Sequence, residues 1–575
     1  GELDREGSGM VWTVDRRTFV AGMGGAGALA ASGARANVSA VDGRKLNVLM
    51  IVTDQEQSIA SFPPGLLEKL PGHRELMARG LLVENYHVQT TPCSPSRSTI
   101  FTGHHTQRTG IYLNSSGAED PVLPTDLPTL GHMMRAAGYY TSYKGKWHLS
   151  PINEKRNWNQ VSGMIYPATE KAMEEYGFDD YGFDGEAVGL TWDGYRHDQY
   201  IAADASRSIL DFKGRDKAGG KPWFMVVGLL NPHDIMFYDA TGKQTETRAH
   251  PYLLGPLRRE PGDPLYAEDN GFELPESFYR DDLSGKPEAH RAIAQSNVRT
   301  YGTLDHSDEA SWRRFRNYYY NCIRDVDRRI GQLLWALETS GQLENTIIVY
   351  TSDHGERAGA HGMRQKGGTI YREETNVPMI IVHPDAPGGR RSRRLMSAVD
   401  IAPTLLALGG KDMAWRKEHF PDLPGVDATP LLTDPGARTE RDIRGHLFNY
   451  AVAYGWAPKA GQPATAPFTD RFDLSRRRLH RGVHDGRWKF ARYFAPEHHQ
   501  QPRSWKQLSG NNDLELYDTQ ADPNELVNLA SRPDQRRNLL RLNAMVNALI
   551  AREVGRDDGS EYPGPVDIYN RALPG

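Results

Sequence analysis

The chain has 575 residues, with 69 Lys and Arg against 73 Asp and Glu and a formal net charge of -4. That near balance excludes a basic nucleic-acid-binding field and an acidic, disordered composition. The length and an apolar fraction of 38% fit a large α/β domain with a smaller companion.

In chain order, the first feature is Asp15-Arg16-Arg17-Thr18-Phe19-Val20, then a stretch of Ala, Gly, Met and Leu, then Ala34-Arg35-Ala36. Charged region, apolar region and small-x-small cleavage site follow the order of a twin-arginine export leader over residues 1–36, with Met10 as a start. The stretch is too short and too Gly-rich for a membrane-spanning helix. This predicts the twin-arginine export machinery as a partner and a periplasmic or secreted location. A slightly apolar soluble tail is the alternative. The two cysteines, Cys93 and Cys322, leave a chain without disulfides, which suits export of an already folded protein.

Four short apolar runs read as buried parallel strands: Asn47 to Thr53, Trp223 to Leu230, Thr346 to Thr351 and Met379 to Val382. Each ends in polar residues: Asp54, then Asn231 and His233, then Asp353 and His354, then His383. Open α/β sheets gather their chemistry at the carboxyl ends of strands. Phe315, Tyr319, Ile323, Val326, Ile330, Leu333, Leu334 and Leu337 recur at three- and four-residue spacing and predict a helix leading into the Thr346 strand. Cys322 lies in that helix as a packing residue. Segments 151–200 and 237–308 show weak periodicity and read as insertions over the strand ends. Trp158, Trp192 and Tyr195 in the first could contact a ring or a cationic head group, or simply pack.

Past residue 435 the pattern changes. Leu479 to Val483 and Trp488 to Tyr493 flank Asp485-Gly486, a hairpin signal. Leu514 to Tyr517 reads as another strand, and Leu539, Leu542, Met545, Val546, Leu549 and Ile550 form a helical stripe. The predicted architecture is α/β: a large doubly wound, mostly parallel sheet flanked by helices over 45–435, with a smaller C-terminal α+β domain carrying an antiparallel sheet over 436–575.

The most informative stretch is Cys93-Ser94-Pro95-Ser96-Arg97-Ser98-Thr99-Ile100-Phe101-Thr102-Gly103. Ser94 can cap a helix, Pro95 suits its first position and Gly103 its end. Cys93 then sits at a helix N-terminus, where backbone N–H groups and the dipole favour an anion, with Arg97 in the first turn. On local grounds alone, a helix start that happens to contain Cys fits equally well.

The stretch resembles the type I sulfatase signature, Cys-x-Pro-Ser-Arg followed by x-x-x-aromatic-Thr-Gly, at every specified position. Further segments resemble the same family in the same order: Gly138-Tyr139-Tyr140-Thr141 with Gly145-Lys146-Trp147-His148, Asn231-Pro232-His233, Ser352-Asp353-His354-Gly355-Glu356 with Lys366, Val399-Asp400-Ile401-Ala402-Pro403-Thr404, and Leu516-Tyr517-Asp518 with Asp522-Pro523 and Asn528-Leu529. The resemblance covers residues 45 to 550. It implies a sulfuric ester hydrolase of the alkaline phosphatase superfamily, with Cys93 oxidised to formylglycine by a formylglycine-generating enzyme. One hydroxyl of the hydrated aldehyde would attack sulfur, and the second would expel sulfate.

The resemblance also implies the site. Asp54, Gln55, Asp353, His354 and an oxygen of modified Cys93 would hold a divalent cation. Asp54 and Asp353 end strands expected to be neighbours, so they can converge. A mostly oxygen site suits Ca²⁺, with Mn²⁺ or Mg²⁺ as alternatives, His354 bringing a nitrogen ligand. Alone, each Asp would fit a helix cap equally well. Lys146 would contact sulfate oxygens, His148 would handle the diol proton, His233 and Lys366 would protonate the leaving alcohol, and Arg97 would orient the diol. Asn114 falls where some relatives place a substrate contact, though a loop Asn also fits turn chemistry. Many family members carry Asp at position 55 and Asn at position 354. Gln55 and His354 also occur in relatives that cleave phosphonate monoesters and phosphodiesters, which is the alternative activity, whereas Lys146-Trp147-His148 matches the sulfatase version.

Overall fold

The computed structural model describes residues 45–115, 121–150, 173–182, 190–214, 220–248, 256–450, 473, 475–499 and 501–557. Residues 1–36 and Trp158 lie outside them. Eight strands form the main sheet: β1 (Asn47–Asp54), β2 (Leu81–His87), β3 (Tyr140–Gly145), β4 (Asp180–Gly182), β5 (Trp223–Pro232), β6 (Thr346–Ser352), β7 (Met379–Val382) and β8 (Arg390–Ser397), in the order β4-β3-β5-β1-β6-β7-β2-β8. The period-two alternation of side chains splits the apolar runs between two faces. Val48, Met50, Val52, Phe224, Val226, Ile347 and Val349 join one core. Leu49, Ile51, Met225, Val227, Ile348 and Tyr350 join the other. Helices cover both. The first face packs on Ile100 and Phe101 of α1 (Cys93–Thr102). The second packs on α2 (Asp193–Gly214) and α3 (Glu309–Thr339), through Ile201, Ala205, Val326 and Ile330.

Pairing is parallel along β4, β3, β5, β1 and β6, and between β2 and β8. The expectation for Met379–Val382 is corrected: β7 runs antiparallel to both β6 and β2. Residues 353–378 hold only short helical turns and no crossover helix, so the chain re-enters the sheet from the end it left and runs back. His383 is thereby carried to the opposite end of the sheet from Asp54 and Asp353. A strand buried on both faces looks the same in either direction, so the apolar run gave no directional signal.

Cys322 is fully buried on α3, as expected of a packing residue. The insertions are less irregular than their composition suggests. α2 begins within the first, and a 14-residue helix, Glu288–Tyr301, lies in the second. The small sheet is antiparallel, β12-β11-β10-β9, from β9 (His446–Tyr450), β10 (Leu479–His484), β11 (Trp488–Phe494) and β12 (Asp513–Asp518). Gly486 turns the hairpin with φ of 97°, which a Cβ would disfavour. α4 (Arg536–Leu549) covers one face through Leu539, Leu542 and Val546. Where β2 meets this sheet, three buried imidazoles cluster: His87 lies 5.4 Å from His446 and 5.0 Å from His484, ring centre to ring centre.

Candidate active site

Four parallel strands deliver the functional side chains. Thr53 pairs with Ser352, so Asp54 and Asp353 leave adjacent strands side by side, as expected. β3 ends one residue before Lys146, and β5 ends one residue before His233. The turn into Lys146 requires Gly145: its φ is 92°, and a Cβ there would meet Gly228 O at 2.1 Å.

The helix that carries Cys93 begins two residues earlier than its composition suggests. Cys93 is its first residue, Pro92 precedes it, and Ser94 makes no capping bond. Instead Ser94 Oγ donates to His148 O at 2.5 Å and accepts from Ser115 N at 3.0 Å. The helix N-terminus is also less open to an anion than expected. The Ser94 N–H goes to Asn114 Oδ1 at 3.1 Å, Pro95 has none, and the Ser96 N–H goes to Pro92 O at 3.1 Å. Asn114 therefore satisfies the helix end. Positive charge comes mainly from side chains.

Those side chains converge. Cys93 Sγ stands where the reacting oxygen of an oxidised residue 93 would be. It lies 3.6 Å from Asp54 Oδ1 and 3.3 Å from His354 Nε2. Ligand atoms of Asp54, Cys93, Asp353 and His354 all fall within 4.8 Å of one another, and all four residues are fully buried. A divalent cation with ligands at about 2.3–2.6 Å would put opposite ligands at about twice that distance, so the group fits one ion. Arg97 Nε donates to Asp353 Oδ2 at 2.8 Å and its Nη1 to Lys146 O at 2.9 Å, with Nη2 3.5 Å from Asp54 Oδ2. Lys146 Nζ donates to Asp54 Oδ2 at 2.6 Å.

Gln55, at φ 75°, adjoins this group, its N–H donating to Asp353 Oδ1 at 3.2 Å. Its Oε1 accepts from Lys366 Nζ, and its Nε2 donates to Glu356 Oε2 at 2.5 Å. Gln55 thus fixes Lys366 at the rim of the site. His148, also at positive φ (59°), and His233 are buried close by.

Charges tune this cluster. Burial would raise the Asp54 carboxyl, but Lys146, His233 and Lys366 hold it well below the carboxylate range. Burial and the neighbouring Asp54 raise Asp353. Burial alone would lower His354, yet Asp353 and Cys93 lift it to about 9. Burial, then Lys146 and Arg97, push His148 well below the histidine range. Burial, then Lys366, do the same to His233. Both imidazoles are therefore neutral at pH 7, able to accept a proton.

One residue that sequence reasoning missed ties the site together. Glu374 is wholly buried. Its Oε1 accepts from Thr91 Oγ1 at 2.9 Å and from Gly367 N at 2.6 Å. Its Oε2 accepts from Arg357 Nη2 and Thr369 Oγ1, each at 2.6 Å. The only signal for it was an acidic pair, Glu373-Glu374, just before a buried strand.

Of the aromatic candidates, Tyr195 packs, its ring 5.5 Å from Tyr266. Trp192 is half-buried, with Nε1 donating to Arg259 O at 2.9 Å.

The family model for Sulfatase matches residues 47–411. A choline-sulfatase of Rhizobium meliloti (strain 1021) is 26% identical over 504 residues, covering 85% of this chain and 83% of its own. Among solved structures, a 2-O GAG sulfatase superposes with TM-score 0.63 at 21% identity, covering 92% of this chain and 97% of that one. A phosphonate monoester hydrolase from Silicibacter pomeroyi superposes with TM-score 0.61 at 19% identity, covering 90% and 97%.

Proposed function

The chain belongs to the sulfatase family of the alkaline phosphatase superfamily and is a sulfate-ester hydrolase, and from that premise we propose a mechanism centred on residue 93. The observation that carries it is the convergence of Asp54, Cys93, Asp353 and His354 within 4.8 Å, flanked by Arg97 and Lys146. Oxidised to formylglycine by a formylglycine-generating enzyme and hydrated, residue 93 supplies one hydroxyl to attack sulfur and a second to release sulfate. Asp54, Gln55, Asp353 and His354, with an oxygen of residue 93, would hold Ca²⁺, or Mn²⁺ or Mg²⁺ in its place, which would supply Lewis-acid polarisation and lower the pKa of the diol.

The remaining work falls to side chains. Lys146 neutralises sulfate oxygens, and Asp54 orients it. Arg97, anchored by Asp353, offsets charge at residue 93. Neutral His148 takes the diol proton during release. His233 is held neutral before substrate binds, so Lys366, positioned by Gln55, gives the proton to the leaving alcohol, and His233 bonds the same oxygen. Asn114 supports the helix end through Oδ1 and lies within reach of the site for a substrate contact. Residues 45–435 form the catalytic domain and 436–575 a subdomain. Residues 1–36 direct the folded protein, through the twin-arginine machinery, to the periplasm or beyond. Among the described residues no helix is long and apolar enough to cross a membrane.

The test is peptide mass spectrometry across Cys93 beside turnover of a sulfate ester. Active enzyme should carry the aldehyde or its hydrate; active enzyme with only a thiol at Cys93 would sink the mechanism. A second reading, phosphonate monoester or phosphodiester hydrolysis, rests on Gln55 and His354. It predicts higher kcat/KM for phenyl phenylphosphonate than for phenyl sulfate.

A further inference from the structure

The turn that carries His233 is flanked by two arginines that the mechanism does not use. Arg196 lies on the first turn of α2 and Arg258 on the 256–260 segment, and both are exposed. Each guanidinium lies over the Trp192 indole, at 5.6 Å and 5.7 Å from the ring centre. Among the described residues, neither guanidinium lies within ion-pair distance of a carboxylate, and the charge that acts on Arg196 from further off is Asp193 on its own turn.

Both are fixed to the leaving-group side by independent contacts. Gly194 N and Tyr195 N donate to the Asp234 carboxylate at 2.9 Å and 2.8 Å, which docks the start of α2 on the residue after His233. The approach is so close that a Cβ on Gly194 would lie 2.4 Å from Asn231 Cγ. Burial raises the Asp193 carboxyl on the same turn, opposed first by His197 at 2.7 Å and then by the nearby Lys146 ammonium and Arg196. On the other side, Arg258 N donates to Phe237 O at 3.0 Å and Arg258 O accepts from Asp239 N at 2.8 Å. The Phe237 ring stands 5.9 Å from His233.

We infer that Arg196 and Arg258, stacked on Trp192, form a subsite for a second anionic group on the alcohol that carries the scissile sulfate. The substrate class is therefore a sulfate ester bearing a further carboxylate or sulfate, as on an acidic saccharide. Trp192 cannot serve as a platform for a cationic head group, because two guanidiniums already lie over it and would repel a third cation. Planar guanidinium forks suit bidentate contact with carboxylate or sulfate. This assignment deepens the sulfatase reading and rests on it.

The test uses formylglycine-bearing enzyme and three aryl sulfates: phenyl sulfate, meta-carboxyphenyl sulfate and meta-trimethylammoniophenyl sulfate. The carboxylated ester should exceed the trimethylammonio ester in kcat/KM by about tenfold or more, since two partly exposed charge contacts change sign between them. Arg196→Ala with Arg258→Ala should collapse that ratio, and Arg196→Lys with Arg258→Lys should keep most of it. Preference for the cationic ester, or a ratio untouched by the alanine pair, overturns the assignment. No turnover of phenyl sulfate would instead count against the sulfatase reading. Calorimetric binding still decides the subsite in that case. meta-Benzenedisulfonate should bind more tightly than benzenesulfonate in the parent and lose its advantage in the alanine pair; equal binding by the parent overturns the subsite.

Discussion

His480 and His484 sit on β10, wholly buried. Burial holds both imidazoles down to about 3, with Lys489 adding to the effect on His484. In the unfolded chain each titrates near 6.5. A lowered folded pKa means the fold is unpenalised above pH 6.5, and stability drains away as pH falls below it, because only the unfolded chain takes up the proton. At pH 5 each group has cost about 2 kcal/mol, and the pair about 4 kcal/mol, from ~1.4 kcal/mol per pH unit per group. That is a large share of the roughly 5–15 kcal/mol by which folded domains are stable. His87 and His446, pushed down mainly by burial, act in the same direction. The assay is urea unfolding at fixed temperature between pH 7.5 and roughly 5, the span over which the free histidine titrates. His484→Gln removes one titrating group, so its stability-against-pH slope should be shallower than the parent's by ~1.4 kcal/mol per unit, whatever it does to stability at pH 7.5. An identical slope in parent and variant would show that His484 is protonated in the fold, and the reasoning from burial would fail.

Asp353→Ala should lose both the metal and turnover, and chelation of the parent should abolish activity that Ca²⁺ or Mn²⁺ restores; full activity in metal-free protein would refute the site. Arg97→Ala leaves Asp353 buried without its charge partner and should destabilise by about 3–5 kcal/mol, read in the same urea assay. In Cys93→Ser the side chain keeps one hydroxyl but no second one to release sulfate, so at most one turnover is expected, with sulfate retained on the mutated residue by mass spectrometry. Arg16→Lys with Arg17→Lys should strand the protein in the cytoplasm, which fractionation would reveal.

Much of this was legible in the chain. Strands β1, β5 and β6 follow from continuous apolar runs, and their polar ends named Asp54, His233 and Asp353. The signature around Cys93 picked out the residue at the centre of the buried cluster. What escaped depended on tertiary context. The direction of β7 is set by the connection and not by its own four residues. The contacts of the Gln55 carboxamide with Lys366 and Glu356 carry no sequence signal. Ser94 has the composition of a cap, yet Asn114 meets the helix N–H in its place. Glu374 could not be weighed from sequence, because its four donors come from the loop before it, at Arg357, Gly367 and Thr369, and from the distant Thr91.

Glu374 also bears on motion. Through Thr91 it holds the approach to Cys93, and through Gly367 the residue after Lys366. A single rigid carboxylate accepting from both leaves the two segments little freedom to fluctuate separately. Any slow opening that moves Lys366 must pull on the peptide leading to Cys93, so the two residues should disengage as one event with one exchange rate.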